Sequence, residues 1–353
     1  MPYSIERVSF GSGGTVIAGR LYRPNADSGP VPGVVLAHGF SATMDWIVPD
    51  FAATFAEGGL AALIFDYRHL GRSGGEPRQL IDSQRQREDL RNAVAFLRLR
   101  PEVDHSHVAL WGTSLGGAHV IEVAAADPSI TAVVANVPAI DMFRGIRGRH
   151  VPAHMRLGVA RLCKATASLM WAASVDTVRG VLRLQPSYIP VYGRLGHAVF
   201  WDPSLATLFG DLESHSLTWR NEITPRFLFK APRYRQRQLQ RLTAPLLVTV
   251  ARDDEVISTR FIEKAVADAP RYEVHQYPVR HFEMYHGAVR DQLAADHLRF
   301  LQRHLTKSSS VCQHGDLRPS MGAGIVDSSA QATERRADIE CSVLNRNCER
   351  GFR

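Results

Sequence analysis

The chain has 353 residues, of which 45% are hydrophobic and 22% charged, and its formal net charge is +7. This is an ordinary globular composition, which excludes collagen-like, coiled-coil and wholly disordered proteins. No apolar run approaches the roughly 18 residues of a membrane-spanning helix. The first residues lack the basic start followed by an apolar stretch that a secretory signal needs, so no such signal is expected. The four cysteines fit neither a disulfide framework nor a zinc site, so a cytoplasmic location is expected; they are Cys163, Cys312, Cys341 and Cys348.

The positive charge is concentrated in one segment. Residues 142–242 carry 16 Lys and Arg against 5 Asp and Glu, so the rest of the chain is slightly acidic. Such a segment is either a solvated, arginine-rich helical face or a surface that attracts an anionic substrate or protein partner. No zinc-finger spacing, aromatic RNA-binding signature or helix-turn-helix accompanies it, so a nucleic-acid partner is not expected.

The first part of the chain alternates short apolar runs with amphipathic stretches, which predicts βα units around a mostly parallel sheet. A first strand is expected after the turn at residues 11–14. The predicted strands are 15–22, 33–37, 61–65, 108–111 and 131–135, and the predicted helices between them are 46–57, 83–99 and 117–126. These residues form the N-terminal part of an α/β core, residues 1–141.

The alternation stops after Asp141 and returns near Pro245. The basic, aromatic and proline-containing residues 142–242 are therefore predicted to be an inserted, largely helical cap. The core resumes over residues 243–306 with strands at 245–250 and 272–277 and helices at 260–267 and 289–304. Residues 307–353 are polar and lack sustained periodicity, which predicts a disordered tail.

A candidate nucleophile lies in Gly112-Thr113-Ser114-Leu115-Gly116, between a predicted strand and a predicted helix. This Gly-x-Ser-x-Gly pattern in that context is typical of a nucleophile elbow, in which a tight turn raises the serine hydroxyl above the sheet. The alternative is a glycine-rich turn that happens to contain a serine. The flanking strand and helix favour Ser114 as the nucleophile.

Acyl transfer also needs backbone N–H groups directed at the developing oxyanion. Leu115, which follows the serine, is expected to supply one of them. Another strand runs directly into His38-Gly39-Phe40, and the N–H of Phe40 is the candidate for the second. His38 is interpreted as a residue that braces this loop rather than as the general base, because it precedes Ser114.

The acid and the base should follow later strands, in the order serine, acid, histidine. The strand at 245–250 leads into Asp253 and Asp254, of which Asp254 is favoured as the acid and the other is expected to cap the next helix. His281, in the loop before the last helix, is favoured as the base over His286. Other histidines are assigned to surface or capping roles, among them His105, His107 and His297. His281 would take the proton of Ser114, and Asp254 would hold its tautomer.

Together these segments resemble the α/β-hydrolase superfamily over residues 5–305. The resemblance rests on His38-Gly39-Phe40, the segment Asp66–Gly75, the Ser114 elbow, Asp254 and His281. It implies a mostly parallel sheet flanked by helices and a largely structural segment 66–75, with Arg68 or Arg72 as a less favoured substrate contact. A narrower similarity, to fungal polyketide transferases and thiohydrolases, rests on residues 38–45, 65–68, 74–78 and 281–285.

The narrower resemblance implies a serine thiohydrolase that releases or hydrolyses a polyketide acyl chain in secondary metabolism, or an acyltransferase with an alcohol acceptor. A carboxylesterase, a cap-bearing peptidase and a catalytically silent binding scaffold are the alternatives. Apolar and aromatic cap residues are expected either to line an acyl pocket or to form the cap's own core; they include Met170, Trp171, Tyr188, Tyr192, Phe200, Trp201, Leu208, Phe209 and Trp219. The basic cap would suit an acidic acyl carrier domain. No cofactor and no metal are expected.

Overall fold

The computed structural model describes residues 1–25, 29–235 and 237–305. Its centre is one eight-stranded sheet in the order β1-β2-β4-β3-β5-β6-β7-β8. The strand β2 is antiparallel to both of its neighbours, and all other pairs are parallel. The strands are β1 Tyr3–Ser12, β2 Thr15–Pro24, β3 Val31–Ala37, β4 Ala61–Phe65, β5 Val103–Thr113, β6 Val133–Asn136, β7 Leu246–Ala251 and β8 Tyr272–Tyr277. The predicted mostly parallel sheet is confirmed.

Helices cover both faces of the sheet, and they are α1 Val48–Glu57, α2 Ser83–Arg98, α3 Leu115–Ala126, α4 Val159–Val181, α5 Ala206–His215, α6 Thr259–Val266 and α7 Gly287–Leu305. Alternate residues of a strand point to opposite faces. In β3, Val34 and Leu36 pack with α1 and α7, whereas Val35 and Ala37 pack with α2, α3 and α6. Both faces of the parallel strands are therefore buried, which explains their uninterrupted apolar sequences.

The sequence prediction missed β1, one of the two edge strands. β1 and β2 form a hairpin whose turn is Gly13-Gly14, with φ angles of 52° and 79°. Gly11 and Ser12, which the sequence placed in the turn, pair with Val16 and Thr15 as the last residues of the strand. An edge strand with one solvated face has the alternating burial seen in Tyr3–Ser12, and it lacks the apolar run by which the inner strands were found.

The insertion between β6 and β7 carries α4, α5 and short 3₁₀ turns at Ala153–Met155, Pro203–Leu205, Pro225–Phe229 and Leu239–Arg241. The residues through Leu305 belong to one compact unit, and the cap boundaries 142 and 242 stay a prediction. The predicted tail, residues 307–353, lies outside the described residues. Within the described ranges, no helix is long and apolar enough to cross a membrane.

Candidate active site

Ser114 lies between the last residue of β5 and the first residue of α3. Its φ and ψ angles are 51° and −115°, a conformation that non-glycine residues rarely adopt and that is maintained only when the surroundings enforce it. Its N–H donates to Asn136 O at 2.9 Å, and its own carbonyl accepts from the N–H groups of Ala118 and Ala139. The strained turn is therefore fixed by β6 and α3 together.

The glycines around Ser114 permit very close backbone packing. A Cβ atom at Gly112 would lie 2.6 Å from the carbonyl carbon of Gly116, and one at Gly116 would lie 2.5 Å from His38 O. Real Cβ atoms essentially never come this close to other atoms. A Cβ at Gly39 would lie 3.4 Å from Ser114 Cβ, so the loop after β3 passes directly beside the serine.

The two amides predicted to bind an oxyanion belong to these neighbouring segments. Leu115 is the first residue of α3, and the first N–H groups of a helix have no intrahelical acceptor. Phe40 lies in the turn after β3. Among the described residues, neither N–H donates a hydrogen bond to a backbone or side-chain group. Their joint use as an oxyanion hole stays a prediction.

Asp254 and His281 are hydrogen-bonded to each other. His281 Nδ1 lies 2.8 Å from Asp254 Oδ2, and both side chains are almost fully buried. The other carboxylate oxygen, Oδ1, accepts the N–H groups of Val256 and Ile257, both at 2.8 Å. The carboxylate is thus fixed on one side by the backbone and oriented on the other side toward the imidazole.

Asp253, the rival acid, lies in a different environment. Its side chain is 42% exposed and faces Arg252 at 3.8 Å. The expectation that this aspartate caps the following helix is wrong, because Ser258 accepts the Phe261 N–H at the start of α6. The rival base, His286, is exposed at the start of α7.

The loop of His281 carries a second acid. Glu255 accepts the His281 N–H through Oε2 at 3.2 Å. Burial lowers the pKa of the His281 imidazole, but the charge of Asp254, its hydrogen bond and the charge of Glu255 together raise that pKa above 6.5. The neighbouring Arg280 bridges Glu255 to Asp202 of the cap. The cap is therefore tied to the histidine loop by ion pairs.

A chain of buried hydrogen bonds runs beneath the serine. Its members are Trp111, His297, Thr249, Asn136, Thr113 and Tyr285. The sequence assignment of His297 to a surface or capping role is wrong, because the residue is fully buried and burial lowers its pKa to about 3. The periodicity of α7 could have indicated an inward position for residue 297, but no short-range signal points to its partners.

Two loops were predicted to have structural roles, and their side chains stabilise the fold in different ways. His38 is buried, its Nδ1 atom lies 3.0 Å from Gly39 O, and burial lowers its pKa to about 4. In the segment 66–75, Asp66 accepts the N–H groups of Met44 and Arg72. Arg68 is buried against Asp89 in an ion pair of 2.6 Å, which uses its guanidinium within the core.

Cap side chains pack directly on the site. Phe40 lies 4.8 Å from Phe227 between ring centroids, and Phe200 lies 5.5 Å from Phe282, the residue after His281. Leu115 belongs to the same buried cluster. Of the aromatic and apolar cap residues predicted from the sequence, this cluster includes Tyr192, Phe200, Leu208, Phe209 and Trp219. Met170, Trp171 and Tyr188 are exposed instead.

A metal centre has no visible basis in the part of the chain that the structure describes. No group of three or more His, Cys, Asp or Glu side chains there could hold an ion.

The sheet order, the strained serine after β5 and the Asp–His pair after β7 and β8 are those of a serine hydrolase with the α/β-hydrolase fold. The family model described as serine aminopeptidase, S33 matches residues 29–292, and the chain belongs to that family. The predicted superfamily and fold are thereby confirmed.

Individual relatives give further similarity. The quorum-quenching protein AidA of Acinetobacter baumannii is 31% identical over 305 residues, which cover 86% of this chain and 96% of the relative. The thiohydrolase aneE of Aspergillus aculeatus is 31% identical over 214 residues, 61% of this chain and 62% of that relative. The crystal structure of the α/β hydrolase GrgF from Penicillium sp. sh18 matches with a TM-score of 0.68 at 25% identity, over 86% of this chain and 99% of that one.

The predicted similarity to fungal thiohydrolases and polyketide transferases is also confirmed, since homologues carry both names. The chain spans less than two thirds of the length of these fungal relatives in the sequence matches. The chain is an enzyme of the serine hydrolase class.

Proposed function

We propose that the protein is a cytoplasmic thiohydrolase that cleaves an apolar, polyketide-type acyl thioester through a Ser114 acyl-enzyme. The observation that carries the proposal is the buried Asp254–His281 hydrogen bond of 2.8 Å, together with the strained turn at Ser114. Tyr285, four residues after His281, bonds Thr113, the residue before Ser114, at 2.7 Å. This hydrogen bond joins the segment that carries His281 to the strand that ends before Ser114, which supports the assignment of both residues to one site.

The reaction follows from these roles. His281 Nε2 takes the proton of the Ser114 hydroxyl as Oγ attacks the thioester carbon, and Asp254 stabilises the imidazolium through Nδ1. The oxyanion receives the N–H groups of Phe40 and Leu115. The C–S bond breaks, and the leaving thiolate takes the proton from His281. Water then attacks the acyl-enzyme with His281 as base again, which releases the carboxylic acid and restores Ser114.

The cap favours an extended apolar acyl group. The buried cluster around Phe40, Leu115 and Phe282 is continuous with the aromatic residues of the cap. Rings that pack against both the oxyanion loop and the histidine loop would surround the chain attached to the scissile carbonyl. If an alcohol bound in the same space and replaced water as the attacking group, the same acyl-enzyme would form an ester, and the enzyme would be an acyltransferase.

A basic cleft supports an anionic thioester donor. A cleft of about 950 Å³ lies between α2, α3 and residues 229–241 of the cap. Six cationic residues line it against two acids, Asp82 and Glu122; the cations are Arg87, Lys230, Arg233, Arg235, Arg237 and Arg241. The two acids are matched by Lys230 and Arg87, which leaves an excess of four positive charges.

The cleft adjoins the candidate site through one short turn. Within Pro225–Phe229, Phe227 packs on Phe40 while Phe229 lines the cleft. The phosphate of a pantetheine arm, on a carrier domain or in coenzyme A, would be attracted there while the thioester reached Ser114. The name of the relative aneE, a thiohydrolase, agrees with this donor class.

A peptidase is less well supported. Binding of a free substrate α-amine would require unengaged carboxylates in the cap. Its two buried acids, Asp176 and Asp202, bind Arg226 and Arg280 respectively. Their charges are used within the protein.

Quorum quenching is the second candidate function, favoured by the length of the match to AidA. The same triad would then hydrolyse an ester or amide bond of an acylated signal. An N-acyl homoserine lactone therefore belongs in the substrate panel.

The test compares thioesters that share one acyl chain but differ in the thiol. Acyl-coenzyme A carries phosphates, whereas the acyl-N-acetylcysteamine thioester does not. We expect hydrolysis of both, with activity lost in Ser114→Ala, and a lower KM for the coenzyme A ester. A triple variant Arg233→Gln, Arg235→Gln and Arg237→Gln should raise KM for the coenzyme A ester alone.

The matched control removes three positive charges from exposed surface positions outside the cap that do not line the cleft, with Arg7→Gln, Arg23→Gln and Arg91→Gln. It should leave both KM values unchanged. If the KM for the coenzyme A ester is the same in the wild type, the cleft variant and the control variant, the anionic-donor proposal is contradicted. Turnover of the lactone with neither thioester cleaved would contradict the thiohydrolase proposal in favour of quorum quenching.

A further inference from the structure

The cap helix α4 exposes an unusually large part of its surface. It has 23 residues, about 34 Å at 1.5 Å per residue. Of these residues only Ala165, Ala173 and Asp176 are buried, and they lie on one side of the helix. The opposite side projects into solvent along the whole length.

That opposite side is uncharged and regularly spaced. We call it the α4 seam, and its residues are Ala160, Cys163, Ala167, Met170, Trp171, Ser174, Val178 and Val181. All of them are exposed, with 72% exposure for Trp171 and 77% for Val181. A soluble protein rarely leaves such a continuous apolar strip in water unless another surface covers it.

The spacing of the seam matches helix-to-helix packing. Apart from the adjacent pair Met170 and Trp171 at its centre, its residues follow one another in steps of three or four, close to the repeat of 3.5 residues that keeps one seam facing a partner helix. Small or slender residues recur at every seventh position, namely Ala160, Ala167, Ser174 and Val181. Small residues at such positions allow two helix backbones to approach closely.

The seam is also symmetric about its own midpoint, between Met170 and Trp171. Reversing the helix about that point places Cys163 opposite Val178 and Ala167 opposite Ser174. At the midpoint itself, Trp171 meets Met170. A two-fold interface requires this kind of self-complementarity, because residue i must fit residue j and residue j must fit residue i.

We propose that a second copy of the chain docks on the α4 seam, with the two α4 helices packed antiparallel about the Met170–Trp171 midpoint. A lipid surface would be expected to face a seam bordered closely by cations along its length. Between Lys164 and Arg179, however, α4 carries one charged residue, Asp176, which is buried and paired with Arg226. The absence of charge along the middle of the seam favours a protein partner of the same character.

The interface would also bear on the cap. Asp176, on the inner side of α4, holds Arg226 at 2.6 Å, and the next residue, Phe227, packs on Phe40 of the oxyanion loop. A second copy on the outer side of α4 would therefore brace the helix whose inner side holds the site's roof.

The first measurement is the mass in solution of the full-length protein, by light scattering on a sizing column from 1 to 100 µM. We expect twice the chain mass of 39.1 kDa. Ala167→Glu should raise the dimer dissociation constant at least 100-fold while the monomer keeps its fold by circular dichroism and its esterase activity, because residue 167 is exposed. The matched control is Leu217→Glu, an equal change at a cap residue that is 91% exposed but outside α4; it should stay dimeric.

Orientation is tested by cysteine crosslinking in a background with Cys312→Ser, Cys341→Ser and Cys348→Ser. Antiparallel packing keeps the two copies of Cys163 about 22 Å apart along the axis, so this background should not crosslink on oxidation. Adding Cys163→Ser, Ala167→Cys and Ser174→Cys should give a covalent dimer. The proposal would be overturned if the wild type is a monomer at 100 µM or if Ala167→Glu leaves the dimer intact. It would equally be overturned if Cys163 crosslinks instead, or if a monomer sediments with anionic vesicles.

Discussion

Gly116→Ala tests whether the serine turn and the oxyanion loop must lie in near contact. The added Cβ would sit 2.5 Å from His38 O and closer still to Ala37 O. Both obstacles are backbone atoms of the strand and loop that carry Phe40, so no side chain can rotate away. The turn and the loop must separate by about 0.5 Å to relieve the contact with His38 O, and by more than this to relieve the contact with Ala37 O, before the shortest distance that real Cβ atoms show is reached.

This displacement falls on the two amides proposed to bind the oxyanion. Leu115 directly precedes the substituted residue, and Phe40 is two residues beyond His38. A displacement of about 1 Å can lower the rate roughly 100-fold. If the two amides move by about 0.5 Å, kcat should therefore fall by about 10-fold, and if they move by about 1 Å it should fall by about 100-fold. KM should change little, and the free energy of unfolding should fall by about 1–3 kcal/mol.

The assay is steady-state hydrolysis of a p-nitrophenyl ester, with thermal unfolding in parallel. Gly210→Ala is the matched control, because a Cβ at that position in α5 meets no atom within 4 Å; its activity should be unchanged and its stability equal or slightly higher. A folded Gly116→Ala variant with wild-type kcat would refute the role given to this contact.

Three further predictions concern titrating groups. Asp254→Asn should lower kcat by about 10⁴-fold through loss of the correct tautomer, whereas Asp253→Asn should have little effect; the reverse result would exchange the two assignments. Glu255→Gln removes a charge that raises the pKa of His281, and since the base must be neutral, the acidic limb of the profile of kcat/KM against pH should move to lower pH; an unmoved limb would contradict the coupling. Burial lowers the pKa of His297 to about 3, so its neutral form stabilises the fold above pH 6.5 and this contribution is lost as pH falls toward 3; in urea unfolding between pH 6.5 and 4.5, His297→Gln should reduce the fall in stability by up to about 1.4 kcal/mol per pH unit, and an unchanged slope would count against it.

Local signals predicted the elements that lie in the middle of the fold. The strand β4 has the bounds expected from its sequence, and the Ser114 turn lies between β5 and α3 as its glycines indicated. These residues are specified by short-range requirements, either apolar burial on both faces or close backbone approach. The edge strand β1 was missed because one face is solvated.

The site residues differ in what the sequence could specify. The Gly-x-Ser-x-Gly spacing is local and is enough by itself to predict Ser114 as the nucleophile. Asp254 differs from Asp253 in its burial and in its hydrogen bond to His281, which lies 27 residues further along the chain. Two adjacent aspartates look alike in the sequence, so local sequence alone does not separate them. His297 was misassigned for the same reason, since its partners Trp111 and Thr249 are distant in sequence.

The buried chain from Trp111 to Tyr285 also fixes an order of assembly. Trp111 donates to His297 Nδ1, so the proton of the neutral imidazole stands on Nε2 and is directed to Thr249, which donates to Asn136. This one-way sequence of donors is completed only when the last helix supplies His297. A nascent chain that has not yet delivered α7 leaves the indole N–H of Trp111 in β5 without its acceptor and the Thr249 hydroxyl in β7 without one of its two partners. Activity should therefore arise late in synthesis, after nearly the whole core has emerged, rather than when the serine turn first folds.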